Sequence, residues 1–160
     1  MMRYVTSTLM IGLWFLAVGI HPAHGARFLE GVAGDGSKVY IGPTSVQSTN
    51  AFEQFQLGSG SEFEKLCYLL ERVSHAKECS FHYQGGRYSL QDALFAGNWL
   101  LFQRYNRDQK ARDFIREQIS FYDKPSRPVL IEFPNGTRYR IVDVLLNELD
   151  LLEHQSVVES

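Results

Sequence analysis

The first 25 residues limit what this chain can fold into more than any other feature, because they have the layout of a secretory signal peptide. Arg3 precedes an apolar run over residues 9–20, and Ala23 and Gly25 supply the small residues expected before a cleavage at Ala26. The run is shorter than the roughly 20 apolar residues that span a membrane. We therefore expect an exported protein that folds without residues 1–25, with a retained N-terminal anchor as the alternative.

The composition fits one ordinary domain and argues against nucleic-acid binding. The chain has 16 Lys and Arg residues against 18 Asp and Glu residues, and its formal net charge is −2. Proteins that bind nucleic acid usually carry a basic patch and a basic excess. The residues after position 25 suffice for one domain with a single core, since domains cluster near roughly 100–150 residues.

The part after the signal peptide divides into a leader, a domain and a tail. Residues 26–60 are rich in Gly, Ser, Thr and Gln and have no sustained hydrophobic period, which predicts a flexible leader. The folded domain is predicted over residues 61–155. Residues 156–160 are expected to fray.

Four helices are predicted from capping boxes and from apolar residues at helical spacing. In a capping box, the side chain of a Ser or Thr at the helix start accepts a hydrogen bond from the backbone N–H three residues later. The side chain of that later residue accepts one from the backbone N–H of the Ser or Thr. Ser61 with Glu64 and Ser89 with Asp92 have this pattern. The predicted helices cover about residues 62–76, residues 90–104, residues after a cap at 106–108 as far as Tyr122, and residues 142–152.

Strands are predicted in two places between the helices. Apolar and polar residues alternate over 79–83 and meet Gly85-Gly86, which predicts a short strand and a turn. Residues 129–133 and 137–141 flank Pro134-Asn135-Gly136, and Asn-Gly suits a tight hairpin turn. We therefore predict a single small α+β domain of about four helices, one β-hairpin and one additional short strand.

The order and spacing of these elements resemble the YfeK-like proteins, which are small bacterial periplasmic proteins with a domain of unknown function. The resemblance covers about residues 62–152 and rests on short matches: Cys79, Phe81, Gly85, Asp92-Ala93, Phe114-Ile115 and Arg127-Pro128. The chain departs from the family's polar pattern at Tyr83-Gln84, Ala96-Gly97, Leu100, Ser126 and Val129. The resemblance implies this order of elements and a periplasmic location, and it implies no activity.

Cys67 and Cys79 are the only two cysteines of the chain. Because export places them where disulfides persist, a disulfide between them is the structural interpretation. The alternative is a metal site that adds His75 and His82. Residues 79 and 82 of a strand point to opposite faces, so these side chains cannot converge on one ion, and we predict no metal or cofactor.

No residue pattern of a standard enzyme is present. The histidines outside the signal peptide are His75, His82 and His154, and none lies in a catalytic motif or beside a Gly-x-Ser-x-Gly turn. The chain is therefore predicted to be non-enzymatic. The alternative is an envelope hydrolase whose site is assembled from distant residues, with His75 or His82 as the base.

An aromatic stripe on the second predicted helix is the candidate interaction surface. Phe95, Trp99 and Phe102 are spaced i, i+4 and i+7, and Arg104 and Arg107 follow them. The stripe either packs in the core against the hairpin or remains open as an anchor for a partner. The basic residues either attract an acidic partner or belong to a solvated face of mixed charge. The leading hypothesis is a non-enzymatic exported protein that binds a protein or a cell-envelope component through this surface.

Overall fold

A computed structural model describes residues 31–119 and 127–158 of the chain. The predicted signal peptide, residues 26–30 of the predicted leader, Tyr122 in the third predicted helix, and residues 159–160 lie outside the described residues. The helices and strands within them are, in chain order, α1 (Asn50–Gln56), α2 (Glu62–Ser74), β1 (Ser80–Tyr83), β2 (Gly86–Tyr88), α3 (Leu90–Arg104), α4 (Ala111–Phe114), β3 (Leu130–Glu132), β4 (Arg138–Arg140) and α5 (Ile141–Val158).

The α+β prediction is confirmed, but the element count is corrected. The described residues form five α-helices and a four-stranded antiparallel sheet in the order β2-β1-β3-β4. The sheet consists of two hairpins joined through β1 and β3, where Phe81 pairs with Ile131. The prediction of one hairpin and one additional strand missed β2, because a strand of three residues is too short to show an alternation of apolar and polar side chains.

One row of side chains crosses the sheet and faces the core. Paired residues share a face, and the row runs from Tyr88 through Phe81 and Ile131 to Tyr139. Phe81, Ile131 and Tyr139 are buried, whereas Tyr88 on the edge strand is exposed. The helices cover the buried part of this row, so the edge at β2 remains open.

Two capping boxes start α2 and α3 where the sequence predicts them. The side chains of Ser61 and Ser89 each accept a hydrogen bond from the backbone N–H three residues later. The carboxylates of Glu64 and Asp92 in turn accept hydrogen bonds from the backbone N–H groups of Ser61 and Ser89. Between the two helices, Gly97 permits close packing, since a Cβ there would lie 2.7 Å from Leu70 Cδ2.

The second hairpin also follows its local sequence. Gly136 has a φ of 79°, and its N–H donates to the carbonyl of Phe133, while the N–H of Phe133 donates to the carbonyl of Thr137. A three-residue loop that ends in a left-handed glycine is a common hairpin connection.

The prediction of a flexible leader is corrected for residues 31–60. Thr49 caps α1, and Val46, Ala51 and Phe52 are buried in the core cluster. A short turn of 3-10 helix, Val46–Ser48, precedes α1. These elements are too short to show a sustained hydrophobic period, so the sequence did not reveal them.

The third and fourth predicted helices differ from the structure at their ends. The third begins at Ala111 rather than after residue 108, and it continues from α4 as a π-helix over Ile115–Ile119. Glu62 of α2 accepts a hydrogen bond from the Ala111 N–H and so caps α4 from a distance. The fourth helix extends to Val158, so the predicted fraying is wrong for residues 156–158.

Candidate functional site

The aromatic side chains of α3 are exposed to solvent. Phe95 is 76% exposed, Trp99 is 44% exposed and Phe102 is 77% exposed. Of the two interpretations of this stripe, packing in the core and an open face, these exposures favour the open face. We call Phe95, Trp99 and Phe102 the aromatic surface.

The opposite side of α3 holds the helix on the domain. Leu101 is buried, and Leu90 and Leu94 are packed against the core cluster. Gly97 lies on the same side, against Leu70 of α2. At 100° per residue, these positions are turned away from the aromatic surface. The fold therefore uses one apolar side of α3 and leaves the other uncovered by the described residues.

An apolar cavity of about 570 Å³ lies beside the aromatic surface. Phe95 and Trp99 line it together with Ala93, Ala96 and Leu100 of the same helix. Because Phe95 and Trp99 are exposed, the cavity opens to solvent between them and the rest of the domain.

The floor of this cavity is the hydrophobic core itself. Ile115 of the π-helix is 1% exposed, and buried Phe81 and Leu145 also line the cavity. Ile119 and Val129 complete the wall that faces α3. The cavity is thus a deep apolar space bounded by residues of α2, α3, α4 and α5, the π-helix and the sheet.

The polar atoms on the lining side chains of Asp92 and Tyr83 are engaged outside the cavity. The carboxylate of Asp92 accepts hydrogen bonds from the Ser89 N–H and hydroxyl, and the Tyr83 hydroxyl accepts one from Gln84. The Ser89 hydrogen bonds hold the pKa of Asp92 below its ordinary value. Tyr88 lines the cavity but is exposed. The interior of the cavity is therefore suited to apolar groups.

The basic residues after α3 separate into paired and unpaired groups. Arg112 donates to both Asp150 and Glu153 of α5, so part of this positive charge is balanced within the fold. Within residues 31–119 and 127–158, Arg104 and Arg107 have no ion pair and are exposed. Arg104 is nine residues from Phe95, about 180° around the helix, so the two side chains do not form one continuous patch.

The histidines proposed as bases do not face the cavity with their ring nitrogens. His75 is exposed at the end of α2, where its Nδ1 lies 2.9 Å from the carbonyl oxygen of Glu71. His82 is one of the residues that line the cavity, but it alternates with Phe81 along β1, so its ring points away from the face that Phe81 turns to the core. There its Nε2 lies 3.3 Å from the Ser80 hydroxyl and 3.2 Å from a Glu132 oxygen.

The arrangement of Ser80, His82 and Glu132 does not form a hydrolytic relay. In such a relay, one ring nitrogen accepts the serine proton and the other donates to the carboxylate. Here a single nitrogen makes both contacts. Arg138 also binds Glu132 and lowers the pKa of its carboxyl group.

The two cysteines are free thiols, so the predicted disulfide is corrected. Cys67 is on the exposed side of α2, about 160° around the helix from buried Leu69, and Cys79 is half-buried. Partial desolvation by neighbouring side chains, together with the nearby charges of Glu64 and Glu78, raises the pKa of both thiols, so they are weakly nucleophilic at neutral pH. Among the described residues, no group of histidine, cysteine, aspartate and glutamate side chains could hold a metal ion.

No protein-family model, curated protein or solved structure matches this chain. In the part of the chain that the structure describes, no helix has both the length and the apolar character needed to cross a bilayer. The features of this chain that bear on its function are therefore the aromatic surface and the cavity.

A buried ion pair that the sequence analysis missed holds residues 41–43 against the domain. Arg72 of α2 and Glu148 of α5 are 4% and 0% exposed, and their side chains are 2.9 Å apart. Glu148 also accepts a 2.5 Å hydrogen bond from the Ile41 N–H, and Arg72 donates to the Pro43 carbonyl. Because the two charged side chains are buried and partnered, the cluster is structural. The two residues are 76 positions apart, so no local pattern could have revealed the pair.

Proposed function

We propose that this chain is a non-enzymatic exported protein, periplasmic in a Gram-negative bacterium, that binds a protein or a cell-envelope component through the aromatic surface of α3. The observation that most strongly supports this proposal is that Phe95, Trp99 and Phe102 are exposed beside a deep apolar cavity. Large aromatic side chains dominate the energetics of binding surfaces when they enter a partner. Exposed aromatic clusters beside a concave site are typical of interaction surfaces.

We expect the aromatic surface to contribute little to the stability of the domain, as a surface that serves binding would. The buried side of α3 already supplies the contacts with α2 through Leu94 and Leu101. Arg104 and Arg107, at the end of the helix, add positive potential near the surface and would speed the approach of an acidic partner. Since Arg104 lies about 180° around the helix from Phe95, we propose that these residues attract the partner rather than contact the bound group directly.

Export is supported by the N-terminal pattern alone. The apolar run, the preceding Arg3 and the small residues before Ala26 together favour cleavage at that point. We expect the mass of the protein recovered from the periplasm to correspond to a chain that begins at Ala26. A recovered chain that retains residues 1–25 would contradict this part of the proposal.

The binding proposal is tested by capture from envelope extracts of the source organism with matched variants. Replacing Phe95 and Trp99 together by Ala removes two large aromatic anchors and should reduce recovery of the bound component at least about tenfold. The control is Leu57→Ala, which removes another large apolar side chain, 82% exposed, from a site outside the cavity. Circular dichroism checks that both variants are folded.

Two results would contradict the proposal. One is equal recovery by the double variant and the parent chain. The other is equal loss in the double variant and in Leu57→Ala, which would indicate nonspecific adhesion of exposed apolar groups.

A further inference from the structure

We infer that the cavity beside α3 binds the hydrocarbon chain of a single-chain lipid, with the lipid head group left in solvent at the cavity mouth. This inference rests on the proposed binding function and names the ligand class of the same site. Three properties of the cavity support it: its size and depth, the predominance of apolar side chains among the described residues that line it, and the aromatic residues at its opening.

The size and depth of the cavity suit one flexible chain. Its volume of about 570 Å³ lies within the roughly 300–1,000 Å³ of sites that hold small molecules. The lining residues of α3 run from Asp92 to Leu101, nine positions that span about 14 Å at 1.5 Å per residue. Its floor is formed by buried residues such as Ile115 and Leu145. The site is therefore an elongated slot rather than a flat apolar face.

The interior of the slot favours a hydrocarbon over an extended peptide. A peptide in extended form brings backbone N–H and C=O groups, and each needs a hydrogen-bond partner when water is removed. One carboxylate oxygen of Asp92 accepts hydrogen bonds from Ser89, and the Tyr83 hydroxyl accepts one from Gln84. The ring of His82, a third polar lining residue, contacts Ser80 and Glu132. The described lining therefore offers few partners to a peptide backbone. A saturated chain has no polar groups along its length and so incurs no such penalty.

The mouth of the slot has the side chains expected where an apolar chain meets water. Trp99 and Tyr88 both line the cavity and are 44% and 43% exposed. Their rings are apolar and each carries one polar atom that can remain hydrated, which suits the boundary between a lipid chain and its head group. Phe95 extends the apolar rim outward.

Trp99 provides a direct signal for occupancy. The chain has two tryptophans, Trp14 in the predicted signal peptide and Trp99 at the slot. In the full chain with Trp14→Phe, all tryptophan emission comes from Trp99, whether or not the N-terminal segment is removed. We expect saturable binding of one lipid per chain, accompanied by a shift of this emission to shorter wavelength.

The titration uses saturated fatty acids of increasing chain length and a lysophospholipid, all below their micelle concentrations. Affinity should rise up to about fourfold for each added methylene until the slot is full, and then level off. Binding of the fatty acids alone, or of both lipid types, supports the inference and shows whether a carboxylate head is required. Binding of the lysophospholipid alone also supports the inference and shows that the bulkier head group is required.

A blocking variant and a matched control locate the binding. Ala96 lines the slot, so Ala96→Leu places a larger side chain in it without removing a contact, and affinity should fall at least tenfold. Leu57→Ala leaves the slot untouched and should bind as the parent chain does. Circular dichroism establishes that Ala96→Leu remains folded.

Four results would overturn the inference: no response to any single-chain lipid, unchanged affinity in Ala96→Leu, no dependence on chain length, or a response only to lipid vesicles or to an amphipathic helical peptide. If one of these occurs while the Phe95 and Trp99 double variant still loses its partner in the capture experiment, the proposed binding function stands without the lipid assignment. If capture is also unaffected, the proposed function fails as well.

Discussion

The hydroxyl group of Tyr68 is buried and has no hydrogen-bond partner among the described residues. Burial raises the pKa of this phenol to about 12, so the group remains neutral over the range in which proteins are usually studied. The ring itself is well packed, with an edge-on contact to Phe55 at a centroid distance of 6.2 Å. Tyr68 therefore combines a favourable aromatic contact with an unfavourable polar atom.

Tyr68→Phe should increase the free energy of unfolding by about 1 kcal/mol, because it removes an unpaired buried polar group and keeps the ring. Urea unfolding of the two proteins at pH 7 measures the difference. Tyr68→Leu is the control for the ring and should be less stable than the parent. A Tyr68→Phe variant less stable than the parent would show that the hydroxyl makes a favourable interaction.

At the scale of single elements, the start of α2 depends on one ionised carboxylate. Glu64 accepts hydrogen bonds from the backbone N–H groups of Ser61 and Ser59 and from the Ser59 hydroxyl. These bonds, with Ser61 the largest contributor, lower the pKa of Glu64 to about 2 from an ordinary value of 4.5. The folded state therefore favours the charged form of this side chain.

A carboxylate with a lowered pKa stabilises the fold above its unfolded pKa, and this contribution is lost as the pH falls through the folded value. We expect Glu64→Gln to have lower stability than the parent at pH 7 and a smaller further loss between about pH 4.5 and pH 2. Urea midpoints across this range test the prediction.

Glu53→Gln is the control for Glu64→Gln. Glu53 is exposed on α1, and its side chain has no hydrogen bond or ion pair within the described parts of the chain. This variant should follow the pH dependence of the parent. Parallel curves for Glu64→Gln and the parent would contradict the assignment.

Elements whose signals are local could be predicted from the sequence, and elements defined by distant contacts could not. The capping boxes at Ser61 and Ser89 mark the starts of α2 and α3 because the decisive hydrogen bonds span only three residues. The start of α4 was misplaced because its cap, Glu62, is 49 positions away. The pairing of β1 with β3 depends in the same way on distant residues.

At the scale of the whole molecule, the residues of the candidate site could be predicted from the sequence, but whether they are buried or exposed could not. The spacing of Phe95, Trp99 and Phe102 revealed an apolar face on α3, yet a face of this kind is equally suited to a core and to an interface. Only the packing of the other side of the helix on α2 shows which face the fold uses. The cavity was not predicted, since its walls come from six separate parts of the chain.

The whole-molecule account also explains how residues 31–60 belong to the domain. The buried pair of Arg72 and Glu148 links α2, α5 and the backbone at Ile41 and Pro43. Lys38 adds an ion pair with Asp150 of α5. The segment is therefore part of the folded unit, whereas α3 has a large apolar side that the described residues leave uncovered.

The measurement that tests the central claim most directly is the free energy of unfolding of the Phe95→Ala and Trp99→Ala double variant. If the aromatic surface serves binding rather than folding, the double variant should lose only about 1 kcal/mol relative to the parent, since exposed side chains contribute little. A loss of about 3–5 kcal/mol or more, typical of a single buried aromatic residue, would show that the surface is core and would contradict the account.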